Sequence, residues 1–140
     1  MLILKTILMG LVVCVLAGCT GVASWAGILR ADAAAPTLVG DPARGELIFR
    51  TGVSESPPCS TCHQVTAGSY GFNLGPNLEK IAERAATRIA GQDARRYIED
   101  SILHPHDFIV PGFRDIMYDQ FDSHLSAQDL ADLVAYLMTL

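Results

Sequence analysis

The sequence predicts an all-α domain of four to five short helices. Three observations lead there. Asp41-Pro42 is a helix start, because Asp41 can cap and Pro42 suits the first helical position. Near the other end, Leu130, Leu133, Val134 and Leu137 follow the i, i+3, i+4, i+7 spacing of one buried helix face. Between them apolar residues recur at helical spacing, and no run alternates as a strand would.

The elements follow in order. The first helix runs to about Arg50, with Leu47 and Ile48 apolar and Gly45 and Phe49 four apart on one face. Residues 51–58 are rich in Ser, Gly and Pro and read as a loop. A second helical pattern covers Leu78 to Ile89, with Leu78, Ile81, Ala82 and Ala85 on one side. A third covers Gln92 to Leu103, with Tyr97, Ile98 and Ile102 on one side. Gly91 separates the two, and Pro105 ends the second, since the residue before a proline disfavours helix. Ser126 is a natural cap for the last helix, with Gln128 and Asp129 in its first turn, where negative charge suits the dipole. Tyr136 lies beside its apolar stripe.

The chemistry sits in Cys59-Ser60-Thr61-Cys62-His63, the C-x-x-C-H pattern of c-type haem attachment. Two thiols two residues apart can add to the two vinyl groups along one porphyrin edge. His63 is then placed to bind iron through its imidazole. A redox dithiol would need a strand and helix of thioredoxin type around it, and no strand pattern is present. A zinc site would need a second pair of ligands at suitable spacing. Cys14 and Cys19 lie in an apolar leader, and His104 and His106 are separated only by Pro105. The expected cofactor is one covalently bound haem c with its iron. A domain of this size buries a limited core. The porphyrin adds apolar burial at about 25 cal/mol per Å², so the apo chain is expected to fold poorly.

The whole chain carries a net charge of −5. Lys5 is the only charge before Cys19, so the remainder stands at −6, and nucleic acid is excluded as a partner. Residues 1–18 read as an export signal, with Lys5 followed by the apolar run Ile7 to Ala17. That run ends in Leu16-Ala17-Gly18-Cys19, which resembles the bacterial lipoprotein lipobox. The resemblance implies that Cys19 is acylated and Cys14 discarded. Two other readings stand. The uncharged stretch Thr6 to Leu29 is long enough for an uncleaved anchor, and Ala33-Ala34-Ala35 could be an ordinary cleavage site. All three put the domain outside the cytoplasm. The expected location is the periplasmic side of the cell membrane, lipid-anchored, with residues 19–40 as lipidated Cys and tether and 41–140 as the haem domain.

Taken together, the Gly45-x-x-x-Phe49 helix, the C-x-x-C-H motif, Gly75-Pro76-Asn77-Leu78, the Pro111-Gly112-Phe113 segment followed by Met117, and a last helix ending in Ala135-Tyr136-Leu137 resemble the class I cytochrome c family. The resemblance covers about Gly40 to Leu140. It implies that the first and last helices cross around the haem fold, with Gly45 allowing close approach and Phe49 and Tyr136 packed around the crossing. It implies that the Pro76 carbonyl accepts the His63 Nδ1–H, which orients the ring and strengthens it as a donor. It also implies that Met117 is the sixth iron ligand, from an extended loop between two helices. Family members usually have proline directly after this Met, whereas here Tyr118 follows. Met138 belongs more naturally to the core, and Met1 and Met9 lie in the leader. His104, His106 and His124 are the competing ligands and are expected at the surface or haem rim.

With His63 and Met117 on the iron no position remains for substrate, so the expected function is one-electron transfer without a catalytic residue. The rival reading is a haem enzyme or gas-binding sensor with an open sixth position, for which Arg114 is the available cation near Met117. Lys80 is the only lysine after the leader, so a lysine-ringed docking face is absent. The expected partners are redox proteins of a membrane electron-transport chain, a quinol-oxidising complex or a haem–copper oxidase. The loop and terminal helix resemble the small monohaem subunits of quinol-oxidising complexes such as alternative complex III. Arg84, Arg88, Arg95 and Arg96 read as either a docking patch or solvated helix faces.

Overall fold

A computed structural model describes residues 38–68 and 74–140. The expected export signal, Cys14, Cys19 and most of the expected tether lie outside the described residues. Within them the chain forms five α-helices and one 3-10 turn, with no strand. None of these helices is long and apolar enough to cross a membrane.

Helix α1 spans Pro42–Thr51. The Asp41 carboxylate accepts the Ala43 N–H, and Pro42 takes the first position, where a missing N–H costs nothing. Gly52, at φ 74°, ends the helix in a conformation that favours glycine. The last helix, α5, spans Ala127–Leu137 and opens with a capping box. Asp129 N–H donates to the Ser126 hydroxyl while the Asp129 carboxylate accepts the Ser126 N–H. Leu133, Val134, Tyr136 and Leu137 are buried on its inner face.

Helices α1 and α5 cross in direct backbone contact. A Cβ on Gly45 would lie 2.5 Å from the Asp132 carbonyl carbon and 2.8 Å from Tyr136 Cβ, so only glycine lets the helices approach this closely. Phe49 and Tyr136 pack at the same crossing, their ring centroids 5.6 Å apart. A polar tie borders the apolar one. Asp132, only 1% exposed, accepts the Asp41 N–H at 2.8 Å and the Gln128 amide at 2.7 Å. Arg44 reaches both Asp132 and Asp129 with its two terminal nitrogens. Burial by itself would raise the Asp132 carboxylate. The bonds from Asp41, Gln128 and Arg44 outweigh that and hold it below the ordinary carboxylate range.

The middle of the chain departs from the expected helix over Leu78 to Ile89. Helix α2 covers only Ile81–Ala85. The Asn77 side chain accepts the Glu79 N–H at 2.7 Å, and Lys80 adopts a left-handed conformation at φ 53°. The Asn77 bond is of the kind that caps a helix at Leu78, but the left-handed Lys80 stops a helix from running through it. Beyond Ala85 the chain continues in turns until Gly91, at φ 81°. Helix α3 spans Ala94–Leu103, capped by Asp93 and stopped before Pro105. A four-residue helix, α4 at Phe121–His124, was not anticipated, because one turn is too short to show a periodicity. Met138 also corrects an expectation. It lies just past the end of α5 and is 36% exposed rather than in the core.

The core gathers Ile48 and Phe49 of α1, Ile81 and Ala85 of α2, Tyr97 and Ile98 of α3, and the inner face of α5. One side of it opens into a cavity.

Candidate functional site

The wall nearest α1 is built by the cysteine motif. Pro58 leads into the 3-10 turn Cys59–Thr61. The N–H groups of Cys62 and His63 both donate to the Cys59 carbonyl, at 3.1 and 3.0 Å. A 3-10 turn has three residues per turn, so side chains three apart eclipse. Cys59 and Cys62 therefore sit on one side, and both line the cavity with free thiols. Burial pushes the Cys59 thiol up to about 11.

His63 follows and is held from a second segment. Its Nδ1 lies 2.8 Å from the Pro76 carbonyl oxygen. A carbonyl only accepts, so Nδ1 carries the proton and Nε2 keeps a free lone pair. Burial lowers the His63 pKa against the opposing effect of the Pro76 bond, which favours the neutral ring that binds metals. Gly75 forms the bed of this ring. A Cβ there would lie 2.8 Å from His63 Nδ1 and 2.9 Å from Nε2. Backbone bonds from Gly75 N–H to Cys62 O and from Leu78 N–H to Gln64 O zip the two segments together.

Arg84 secures this loop in turn. Its guanidinium donates to the carbonyl of Asn77 at 2.5 Å and also to that of Glu79. The four arginines have different surroundings. Arg84 and Arg88 line the cavity, and Arg88 lies 5.9 Å above the Tyr97 ring centre. Arg96 pairs with Asp100 along α3, and Arg95 is exposed. The sequence marks Gly75 only as part of the Gly75-Pro76-Asn77-Leu78 motif and Arg84 only as a docking or solvated arginine, because neither contact leaves a pattern in the chain.

Further lining comes from the long segment between α3 and α4. Val110, Phe113, Ile116, Met117 and Tyr118 line the same cavity as His63, which measures about 210 Å³. Met117 is half-buried there. None of His104, His106 and His124 lines the cavity. His104 is exposed at the end of α3. His106 is exposed and bonded to Asp115 at 2.6 Å, which raises its pKa. His124 packs its ring toward Tyr118.

Residues 42–140 match the family model described as cytochrome c. The chain belongs to the cytochrome c family. No curated protein matches it in sequence. Cytochromes c carry a covalently attached haem c with its iron, and the chemistry of this family is haem-based electron transfer. The residues of this cytochrome fit that group. Two thiols, a neutral imidazole with a free nitrogen and a thioether line one mainly apolar cavity. Arg84, Arg88 and Arg114 line it as well, whereas among the described residues no carboxylate does, which suits a ligand bearing two propionates. A family member of this build fits an electron carrier rather than an enzyme.

Proposed function

We propose that this chain is a class I monohaem cytochrome c, with Cys59 and Cys62 as thioether anchors and His63 and Met117 as axial iron ligands. It serves as a one-electron carrier held at the periplasmic side of the membrane through Cys19. One observation carries the reading: Met117, 54 residues after His63 in the chain, lines the same cavity, while the competing histidines do not.

When bound, the haem supplies an Fe(III)/Fe(II) couple. The protein's part is to set its potential. A thioether sulfur favours the reduced iron, and the apolar lining opposes the extra charge of the oxidised one, so the potential is raised. The Pro76 carbonyl works against this modestly by making His63 more basic. With His63 and Met117 both holding the iron, no acid or base would be needed, and Arg114 would serve as a cation for the propionates rather than a catalyst.

The partner follows from charge and tethering. With Lys80 as the only lysine of the domain, docking on an acidic partner is disfavoured, and a tether replaces attraction by raising effective concentration. A subunit of, or tethered carrier for, a quinol-oxidising complex or a terminal oxidase fits best. The likeness to monohaem subunits of alternative complex III favours the first.

The test is an optical spectrum of the oxidised holoprotein in the near infrared. A weak charge-transfer band lost in Met117→Ala and kept in His104→Ala and His106→Ala is expected. A high-spin spectrum that shifts on adding cyanide or carbon monoxide would instead establish an open iron position and the sensor or enzyme reading.

A further inference from the structure

We propose that Tyr118 is a positioning residue whose ring, packed against Phe121 and His124, holds Met117 at the cavity wall. The proposal rests on Met117 being the axial ligand. It starts from how little else restrains that ligand. The Phe113 N–H donates to the Val110 carbonyl at 3.1 Å, and the Gln120 carbonyl accepts the Ser123 N–H at 3.2 Å. Between them, among the described residues, positions 114–119 make no backbone–backbone hydrogen bond. No helix or ladder therefore keeps Met117 in place, and side chains must do so.

Two side-chain ties touch the segment. One is His106, which meets Asp115 at 2.6 Å and Asp119 at 3.7 Å, with all three groups about half exposed. Such pairs hold weakly in water. The other is Tyr118, the immediate neighbour of Met117. It is half-buried, lines the cavity and meets the Phe121 ring edge-on at 5.0 Å and 77°. Phe121 is itself buried and opens α4. The Tyr118 ring also approaches His124, one turn along α4, at 6.1 Å. A rigid ring is thus seated on one short helix at two points, and the adjoining residue is the thioether. The ring does the holding, so a phenylalanine would serve as well.

The holoprotein tests this with imidazole as a competing iron ligand. Its apparent affinity scales with the fraction of molecules whose thioether has swung away. Removing an edge-to-face aromatic contact and its buried ring is expected to raise that fraction about tenfold. Tyr118→Ala should therefore bind imidazole about tenfold more tightly than the parent chain. Tyr118→Phe should match the parent, and His124→Ala should fall between. Tyr118→Leu replaces Tyr118→Ala if the latter yields no holoprotein. A merely structural role would shift the unfolding midpoint and leave imidazole affinity unchanged. Unchanged affinity in the ring-deleted variant, with the near-infrared band present in the parent, overturns the proposal alone. A parent chain lacking that band overturns the ligation reading and this proposal with it.

Discussion

Substituting Gly45 by alanine tests the helix crossing on which the site is built. Two effects oppose each other. Alanine favours an exposed helix interior over glycine by about 1 kcal/mol. The new methyl, however, would meet the Asp132 backbone carbonyl carbon at 2.5 Å and Tyr136 Cβ at 2.8 Å. Ordinary carbon contacts lie at about 3.5–4.0 Å, so α1 and α5 must part by about 1 Å. Overpacking costs about 1–3 kcal/mol, and the upper end applies because a backbone group cannot rotate aside. Parting also loosens the Phe49–Tyr136 pair, which contributes about 0.5–1.5 kcal/mol, and stretches the Arg44–Asp132 tie. The net is about 3 kcal/mol of destabilisation. For a domain of this size that is a fall in Tm of roughly 12–24 °C. The assay is thermal and guanidinium unfolding of the holoprotein followed by far-UV circular dichroism. Gly91→Ala is the control. Nothing lies within 4 Å of a Cβ there, so it pays only for its positive φ, about 1 kcal/mol. A Gly45→Ala protein as stable as the parent, or less affected than Gly91→Ala, would refute the close-contact reasoning.

Asp132→Ala strands the Asp41 N–H and one arm of Arg44 and should cost about 2 kcal/mol, read from the same unfolding curves. Asp129 and Asp132 are both held below their ordinary value of 3.8 in the folded state. The unfolded chain therefore binds more protons, and the stability they contribute is present above about pH 4 and lost as the pH falls below it. Asp132→Asn should flatten that acid limb. His106 titrates the other way. Asp115 raises its folded value above the ordinary 6.5, so its small contribution is full below that pH and lost above it. A proton NMR titration should show the His106 midpoint falling in Asp115→Asn. Gly75→Ala drives a methyl into the His63 ring and should lower the yield of correctly ligated holoprotein several-fold, measured by haem absorbance per chain.

What could be read from the chain alone is local in its physics. Asp41-Pro42 and Ser126 with Asp129 satisfy orphan backbone groups within a few residues, so the first and last helices were legible to within a residue or two. The cysteine motif was legible for the same reason, since a two-residue spacing suffices to place both thiols on one side of a single turn. The resemblance extended this to the crossing at Gly45 and to the partner of His63.

What only the tertiary structure decided depends on contacts that no local pattern in the chain records. Asp132 lies outside the apolar stripe of the last helix, yet it receives the N–H of Asp41, 91 residues away. Arg84 reads as a solvated helix face, yet its guanidinium holds the carbonyls of the loop that carries Pro76. The helix around Ile81 starts late because Lys80 is left-handed, an interruption that apolar spacing does not record. Met117 sits in a segment with no period at all. Only the fold brings it to the cavity, next to a Tyr118 ring that packs onto α4. Propensity and capping act within one turn of chain, whereas burial and the pairing of charges act across the fold.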